Sequence, residues 1–410
     1  MISEAIPHNA HACPVADATI FSLARGDSSH DRILIWYMAI PVGALCQVRR
    51  RNRRIWHKTS VNKTEKKLLQ APEKKEKGNY FKAPVFAVAP MIDWTDRHCR
   101  YFHRQISRNA LLYTEMVVAD AIIHGPRERL LSFDGDEHPV ALQLGGSDPV
   151  KLAEALRIAG PYGYDEVNLN VGCPSDRVQS GTFGACLMLT PKVVANCVMA
   201  MKAVSNVPVT VKCRIGVDEQ EPEEALPELL ARVLDAGADA VWIHARKAWL
   251  KGLSPKENRE IPPLDYDIVY RMKERWPEVF IGINGGILTL DEAAAHLKHV
   301  DGVMLGRAAY QNAGILADLD HRFFGAPAAE PDWDGLRDRM MAYAARHLES
   351  GGRLQHVARH MVGLFTGLPG ARRYRQILSS DAAKAGAGPE VIAAAFAAVD
   401  FPGAKEALSA

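Results

Sequence analysis

Glu166-Val167-Asn168-Leu169-Asn170-Val171-Gly172-Cys173-Pro174-Ser175 is a strand-like apolar run that closes in two asparagines and then breaks at glycine, cysteine and proline. Short, nearly continuous apolar runs bounded by turn residues read as strands of a parallel sheet covered on both faces. The segment therefore sets a thiol just past the end of a buried strand, on a loop shaped by Gly172 and Pro174. Amides suited to recognition and a thiol able to move a proton lie within a few residues of each other. Whether that thiol is chemical or merely buried depends on what other strands bring to the same end.

Seven further runs of this kind surround it: Val85–Ala89, Leu111–Tyr113, Val140–Leu144, Val209–Lys212, Ala240–His244, Phe280–Asn284 and Gly302–Leu305. Each is separated from the next by enough chain for a crossover helix. Eight such units in roughly 240 residues predict an α/β fold of the (β/α)8 TIM-barrel type. A doubly wound sheet is the alternative, but no run leads into the GxGxxG loop of a dinucleotide fold. The strand ends are polar. The first run is followed by Pro90-Met91, and the third carries Gln143. The fourth closes in Asn170, the fifth in Lys212, the sixth in His244, the seventh in Asn284-Gly285-Gly286 and the eighth in Gly306-Arg307. In a barrel all these ends share one face, where active sites are built.

The rest of the chain sets limits. Its 410 residues leave room for a large domain and a smaller one, and 48% hydrophobic with 24% charged residues is ordinary for a soluble globular protein. A net charge of +2 points to no partner. The seven cysteines contain no CxxC pair, so neither a disulfide framework nor a zinc or iron–sulfur site is expected, and a cytoplasmic location is the simplest reading. Cys186, Cys197 and Cys213 read as core residues. Cys99 follows His98 on a predicted helix, where a Cys-His pair is the sharper alternative.

Residues 1–80 read as a poorly ordered extension, with a targeting segment or an RNA-binding tail as alternatives. The apolar run from Ile33 to Val48 is shorter than the roughly 20 residues of a membrane helix. Its basic cluster, Arg49, Arg50, Arg51, Arg53 and Arg54, follows the run, the reverse of a secretory signal. No membrane association is expected. The barrel is expected over 81–330 and an all-helical domain over 331–410, since no strand candidate appears after Pro331. Between Leu336 and Arg375 this segment carries Arg337, Arg339, Arg346, Arg353, Arg359, Arg372, Arg373 and Arg375, against Asp338 and Glu349. Guanidinium groups pair bidentately with phosphate and stack on bases, so the run suggests a nucleic acid as well as a solvated face.

Asn284-Gly285-Gly286 and Gly306-Arg307 follow strands seven and eight, the usual phosphate position in such barrels. Gln143 suits the edge of a ring with alternating donors and acceptors, and Lys212 suits a ring that becomes anionic on reduction. Reduced flavin mononucleotide has both features. A Schiff-base lysine or an ion pair remains open for Lys212. For His244, a phosphate contact, a substrate contact and a structural role are all open.

Several strings together resemble the tRNA-dihydrouridine synthase family. They are Pro90-Met91-Ile92-Asp93-Trp94-Thr95-Asp96, the Asn168–Ser175 segment, His244-Ala245-Arg246-Lys247-Ala248-Trp249, Ser254-Pro255-Lys256-Glu257-Asn258-Arg259, Asn284-Gly285-Gly286 and Gly306-Arg307. The resemblance spans about Phe81 to Arg375 and is closest to the subfamily acting on uridines 20 and 20a of the tRNA D-loop. It implies FMN held by Pro90, Met91, Gln143, Lys212, His244, Asn284, Gly285, Gly286, Gly306 and Arg307. Ile92 stands beside them where the family often has a second methionine. NADPH or NADH would be the reductant, Cys173 the proton donor, and Asn170 the contact to the target uracil, with Asn168 supporting the loop. Arg246, Lys247, Lys256 and Arg259 would meet the tRNA backbone, continued by Arg372, Arg373 and Arg375. No obligate protein partner is implied. The rivals are a flavin barrel acting on a small molecule and an RNA-binding protein without catalysis.

Overall fold

The computed structural model describes residues 85–175 and 183–401, which belong to one compact unit. Residues 1–80, expected as an extension, lie outside the described residues, as do the last nine residues of the expected helical domain, 402–410.

Eight strands form a closed parallel barrel: β1 Val85–Val88, β2 Leu111–Val118, β3 Val140–Gly145, β4 Glu166–Val171, β5 Val209–Arg214, β6 Ala240–His244, β7 Phe280–Asn284 and β8 Gly302–Leu305. Each pairs with the next, and β8 closes onto β1 through the register Phe86 to Val303. The (β/α)8 expectation holds. β2 runs on to Val118, well past the expected Tyr113, because a register shift between Tyr113 and Met116 carries it over the polar Thr114-Glu115 step.

Period-two alternation explains both faces. Val167, Leu169, Val171, Val211, Cys213, Val241 and Ile243 point outward into the core shared with the helices. Ala87, Tyr113, Ala141, Trp242, Phe280 and Met304 point inward and fill the barrel floor. Trp242 needs two glycines to fit. A Cβ on Gly282 would lie 2.2 Å from its ring, and one on Gly302 would lie 2.8 Å from its edge.

The crossover helices start on conventional caps. Asp96 accepts from the His98 and Cys99 N–H groups to open the helix Arg97–Ile106, and Asp148 does the same for Pro149–Ala159. After the barrel, the described residues include four further helices, Trp333–Glu349, Leu354–Met361, Ala371–Ser380 and Glu390–Phe396. Their core, including Met340, Val357, Phe365, Tyr374 and Phe396, also takes in Tyr101 and Phe102 from the helix Arg97–Ile106. Tyr101 stacks on Tyr343 with ring centroids 3.9 Å apart. The Asp96 carboxylate binds Arg359 at 2.6 Å and His360 at 3.0 Å. Burial opposes its charge, but His360 and the Cys99 N–H outweigh burial and hold it well below the usual carboxylate range. One helix thus serves both cores.

Candidate active site

Barrel register gathers the polar strand ends. Gln143 pairs with Asn168, Asn170 with Lys212, Arg214 with His244, and His244 with Asn284. Lys212 Nζ donates to Asn284 Oδ1 at 3.0 Å, and Asn284 Nδ2 donates to the Met304 carbonyl at 2.7 Å. No carboxylate is ion-paired with Lys212 among the described residues. Burial, and then repulsion from Arg214, pushes its pKa down to about 8.

Cys173 is half-buried at the mouth. Its N–H donates to Asn170 Oδ1 at 3.0 Å, its carbonyl accepts from the Ala185 N–H at 2.9 Å, and its Sγ lies 3.5 Å from Ser175 Oγ. The asparagines divide their work differently from expectation. Asn170, 8% exposed, supports the loop by taking the Gly172 and Cys173 N–H groups on one oxygen. Asn168 points the same way but one layer deeper, where it donates to Thr210.

A cation cluster faces the ends of β5 to β8. Burial, together with repulsion from Arg259 and Arg246, brings Arg214 down to about 10. Burial, then repulsion from Arg214, Lys212, Arg246 and Arg259, holds His244 well below its ordinary value. Arg246 donates to the carbonyls of Glu260 and Pro262, while its Nε is buried without a partner. Arg307 pairs with Glu260 at 2.8 Å. Gly285 and Gly286 adopt positive φ, and a Cβ on Gly285 would lie 2.7 Å from the His244 ring. Gly306 is different: a Cβ there would come no closer than 3.9 Å to Ala89 and Met91, so packing does not demand glycine. An anion among these groups would relieve their repulsion and take up the orphaned N–H. The residues present therefore fit a phosphate, and the amides and lysine beside them fit a flavin ring. Met91 borders Gly306, and Ile92 is half-exposed at the rim.

Arg214 is the residue the sequence reading missed. It is 2% exposed and donates to the carbonyls of Gly172, Lys247 and Asn258 at 3.0, 2.8 and 3.0 Å. It thus ties the Cys173 loop to the loop after β6, which carries Arg246, Lys256 and Arg259. Its signal was the spacing Lys212-Cys213-Arg214, which puts two cations on one strand face. The segment was expected to end at Lys212.

The arginine run is more neutralised than its sequence window suggests. Arg337 pairs with Asp334 and Asp338, Arg339 with Asp332, Arg346 with Asp134, and Arg359 with Asp96. Arg372, Arg373 and Arg375 are exposed on the helix Ala371–Ser380 and make no ion pair among the described residues. Arg359 and Arg375 line an open groove of about 420 Å³ with Tyr310, Gln311, Gln355 and His360. Tyr310 stacks on Trp94 of the β1 loop at 4.4 Å.

Four other cysteines fall among the described residues. Cys197 and Cys213 are buried as expected, whereas Cys186 is only half-buried and donates to the Phe183 carbonyl. Cys99 does not pair with His98, whose Nδ1 meets Tyr343. It lies 3.7 Å from the buried His103 ring instead, and burial pushes the thiol up and the imidazole down to about 3. That pair stays neutral. Among the described residues no group of three or more His, Cys, Asp or Glu could hold a metal, and no helix is long and apolar enough to cross a membrane.

A closed parallel barrel whose polar side chains converge at the strand C-termini defines a barrel enzyme. The family model described as dihydrouridine synthase matches residues 87–400. The chain is 57% identical over 315 residues to the tRNA-dihydrouridine(20/20a) synthase of Shewanella oneidensis, covering 77% of this chain and 94% of that protein. It is 54% identical over 332 residues to the protein of that name from Escherichia coli K12, covering 81% and 96%. The Vibrio cholerae protein of that name is 54% identical over 316 residues, covering 77% and 96%. The chain belongs to the dihydrouridine synthase family and is an oxidoreductase.

Proposed function

We propose that this protein reduces the C5–C6 bond of uridine at positions 20 and 20a of the tRNA D-loop, with FMN as cofactor and NADPH or NADH as reductant. The observation carrying this reading is the half-buried Cys173 thiol at a barrel mouth that otherwise offers amides, a lysine and a cation cluster. A ligand entering the mouth thus meets a proton donor together with anion-seeking groups.

Pro90, Met91, Ile92, Gln143, Lys212, His244, Asn284, Gly285, Gly286, Gly306 and Arg307 would hold FMN, the phosphate among the cations and the ring against Gln143 and Lys212. When bound, FMN supplies the hydride that goes to C6. The target uridine is turned out of its stack to reach the mouth. Asn170 has one N–H left to donate to a uracil carbonyl. Cys173 Sγ–H delivers the proton to C5, so hydride and proton together saturate the bond. The thiolate left behind faces Lys212 and Arg214, which both feel its charge, and it regains a proton from solvent through its exposed side. No partner base is needed, since the thiol acts as an acid.

Arg246, Lys256 and Arg259 on the loop after β6, with Arg372, Arg373 and Arg375 on the helical part, would neutralise tRNA phosphates. The four C-terminal helices would form the tRNA-binding part and the residues before Pro331 the catalytic barrel.

Cys173→Ala separates the two half-reactions. The purified variant should stay yellow and be reduced by NADPH at the wild-type rate, yet form dihydrouridine on the order of a hundredfold or more slowly. Full turnover would remove Cys173 from the mechanism.

A further inference from the structure

A polar column runs inside the barrel from its floor to the Cys173 loop, where such barrels are usually filled by apolar side chains. At its foot the buried Glu166 carboxylate accepts from the Tyr113 hydroxyl and, at 2.5 Å, from the Thr210 hydroxyl. Thr210 Oγ1 accepts from Asn168 Nδ2, Asn168 Oδ1 from Gln143 Nε2, and Gln143 Oε1 from Asn170 Nδ2, each at 2.8 Å. Asn170 Oδ1 in turn accepts from the Gly172 and Cys173 N–H groups at 3.1 and 3.0 Å. Exposure is 0% for Glu166, Thr210 and Asn168, 1% for Gln143 and 8% for Asn170, so water does not substitute for these bonds.

Every bond in the column points the same way. Shape alone does not distinguish the oxygen and nitrogen of an amide, so its direction comes from its partners. Here the two ends settle it: backbone N–H groups only donate, and a carboxylate only accepts. Between those ends the three amides have one arrangement that satisfies them all. Turning any one of them round sets N–H against N–H and oxygen against oxygen inside a low-dielectric core. With both lone pairs of Oδ1 in use, Asn170 offers the pocket an N–H donor and no acceptor.

We propose that Glu166, Thr210 and Asn168 are positioning residues for the uridine reduction: through Gln143 they fix the direction of the Asn170 amide, and so hold the Cys173 backbone and present substrate with a donor. This rests on the function proposed above. The column acts at a distance, since Glu166 and Thr210 lie at the barrel floor and touch neither thiol nor pocket. Its effect falls on the chemical step, because the alignment of thiol and carbonyl matters most in the transition state.

Three variants test it. Glu166→Gln keeps size and shape but can donate to Thr210, so the foot of the column no longer enforces its direction. Thr210→Val keeps shape without the hydroxyl, and Thr210→Ser keeps the hydroxyl. For Glu166→Gln and Thr210→Val, kcat for dihydrouridine formation should fall on the order of tenfold to a hundredfold, the penalty of small misplacements. KM for tRNA should stay within about twofold, the sign of an interaction expressed in the transition state. Thr210→Ser should retain most of the wild-type kcat. The proposal is overturned if Thr210→Val and Glu166→Gln keep kcat, or if Thr210→Ser is no better than Thr210→Val. Wild-type protein that forms no dihydrouridine in the same assay would overturn the functional reading and the column's role with it. A missing contrast between variants would overturn the column alone.

Discussion

Lys212 is held as a cation in a place that disfavours cations. Burial and Arg214 bring its pKa to about 8, and an amide oxygen of Asn284 is its hydrogen-bond acceptor. The unfolded chain returns it to about 10.5. Between those two pH values the unfolded state therefore holds a proton that the folded protein has released, so this residue makes stability rise with pH across the window. Lys212→Met should flatten that rise in urea denaturation midpoints measured from pH 8 to 10.5; an unchanged slope would mean that Lys212 titrates normally. Single residues also show what an asparagine pair conceals in sequence. Asn168 and Asn170 share a face by period two, but only the chain of acceptors beneath them tells which one meets the loop.

Among the elements, the helix Ala371–Ser380 concentrates what remains of the arginine run after ion pairing. Replacing both Arg372 and Arg373 with Ala should weaken tRNA binding. It should also lower the slope of log affinity against log salt by roughly 0.7–0.9 for each phosphate no longer neutralised, with NADPH oxidation unchanged. An unaltered salt slope would place the RNA surface elsewhere. The elements themselves were largely legible. Runs such as Ala240–His244 and Phe280–Asn284 gave strand bounds that the barrel reproduces, because a strand buried on both faces stays apolar up to the single polar residue that closes it. β2 continues beyond the apolar run Leu111–Tyr113, and the register shift that accommodates the polar Thr114 and Glu115 leaves no local signal. Arg214 was hidden for a related reason: a buried guanidinium satisfied by three carbonyls depends on loops far away in sequence. The ion pairs of Arg346 with Asp134 and Arg359 with Asp96 are equally long-range, so the local run of arginines overstated the free charge.

Across the molecule, closure of the barrel turns eight separate strand ends into one site. Gln143, Asn170, Lys212, His244 and Asn284 come from five different strands; register pairs Asn170 with Lys212 and His244 with Asn284, and side-chain hydrogen bonds join Asn170 to Gln143 and Lys212 to Asn284. The helix Arg97–Ile106 then joins the barrel to the C-terminal helices through Tyr101 and the Asp96 ion pairs. The loop that follows β1 and the arginine-bearing helices are thereby built around one shared element. If this assembly makes dihydrouridine in the tRNA D-loop, the decisive observation is a position-resolved map of dihydrouridine in tRNA from cells with and without the gene. Deletion should remove dihydrouridine at positions 20 and 20a, with other dihydrouridines kept and the loss reversed by the wild-type gene. Dihydrouridine persisting at both positions in the deletion strain would contradict that assignment.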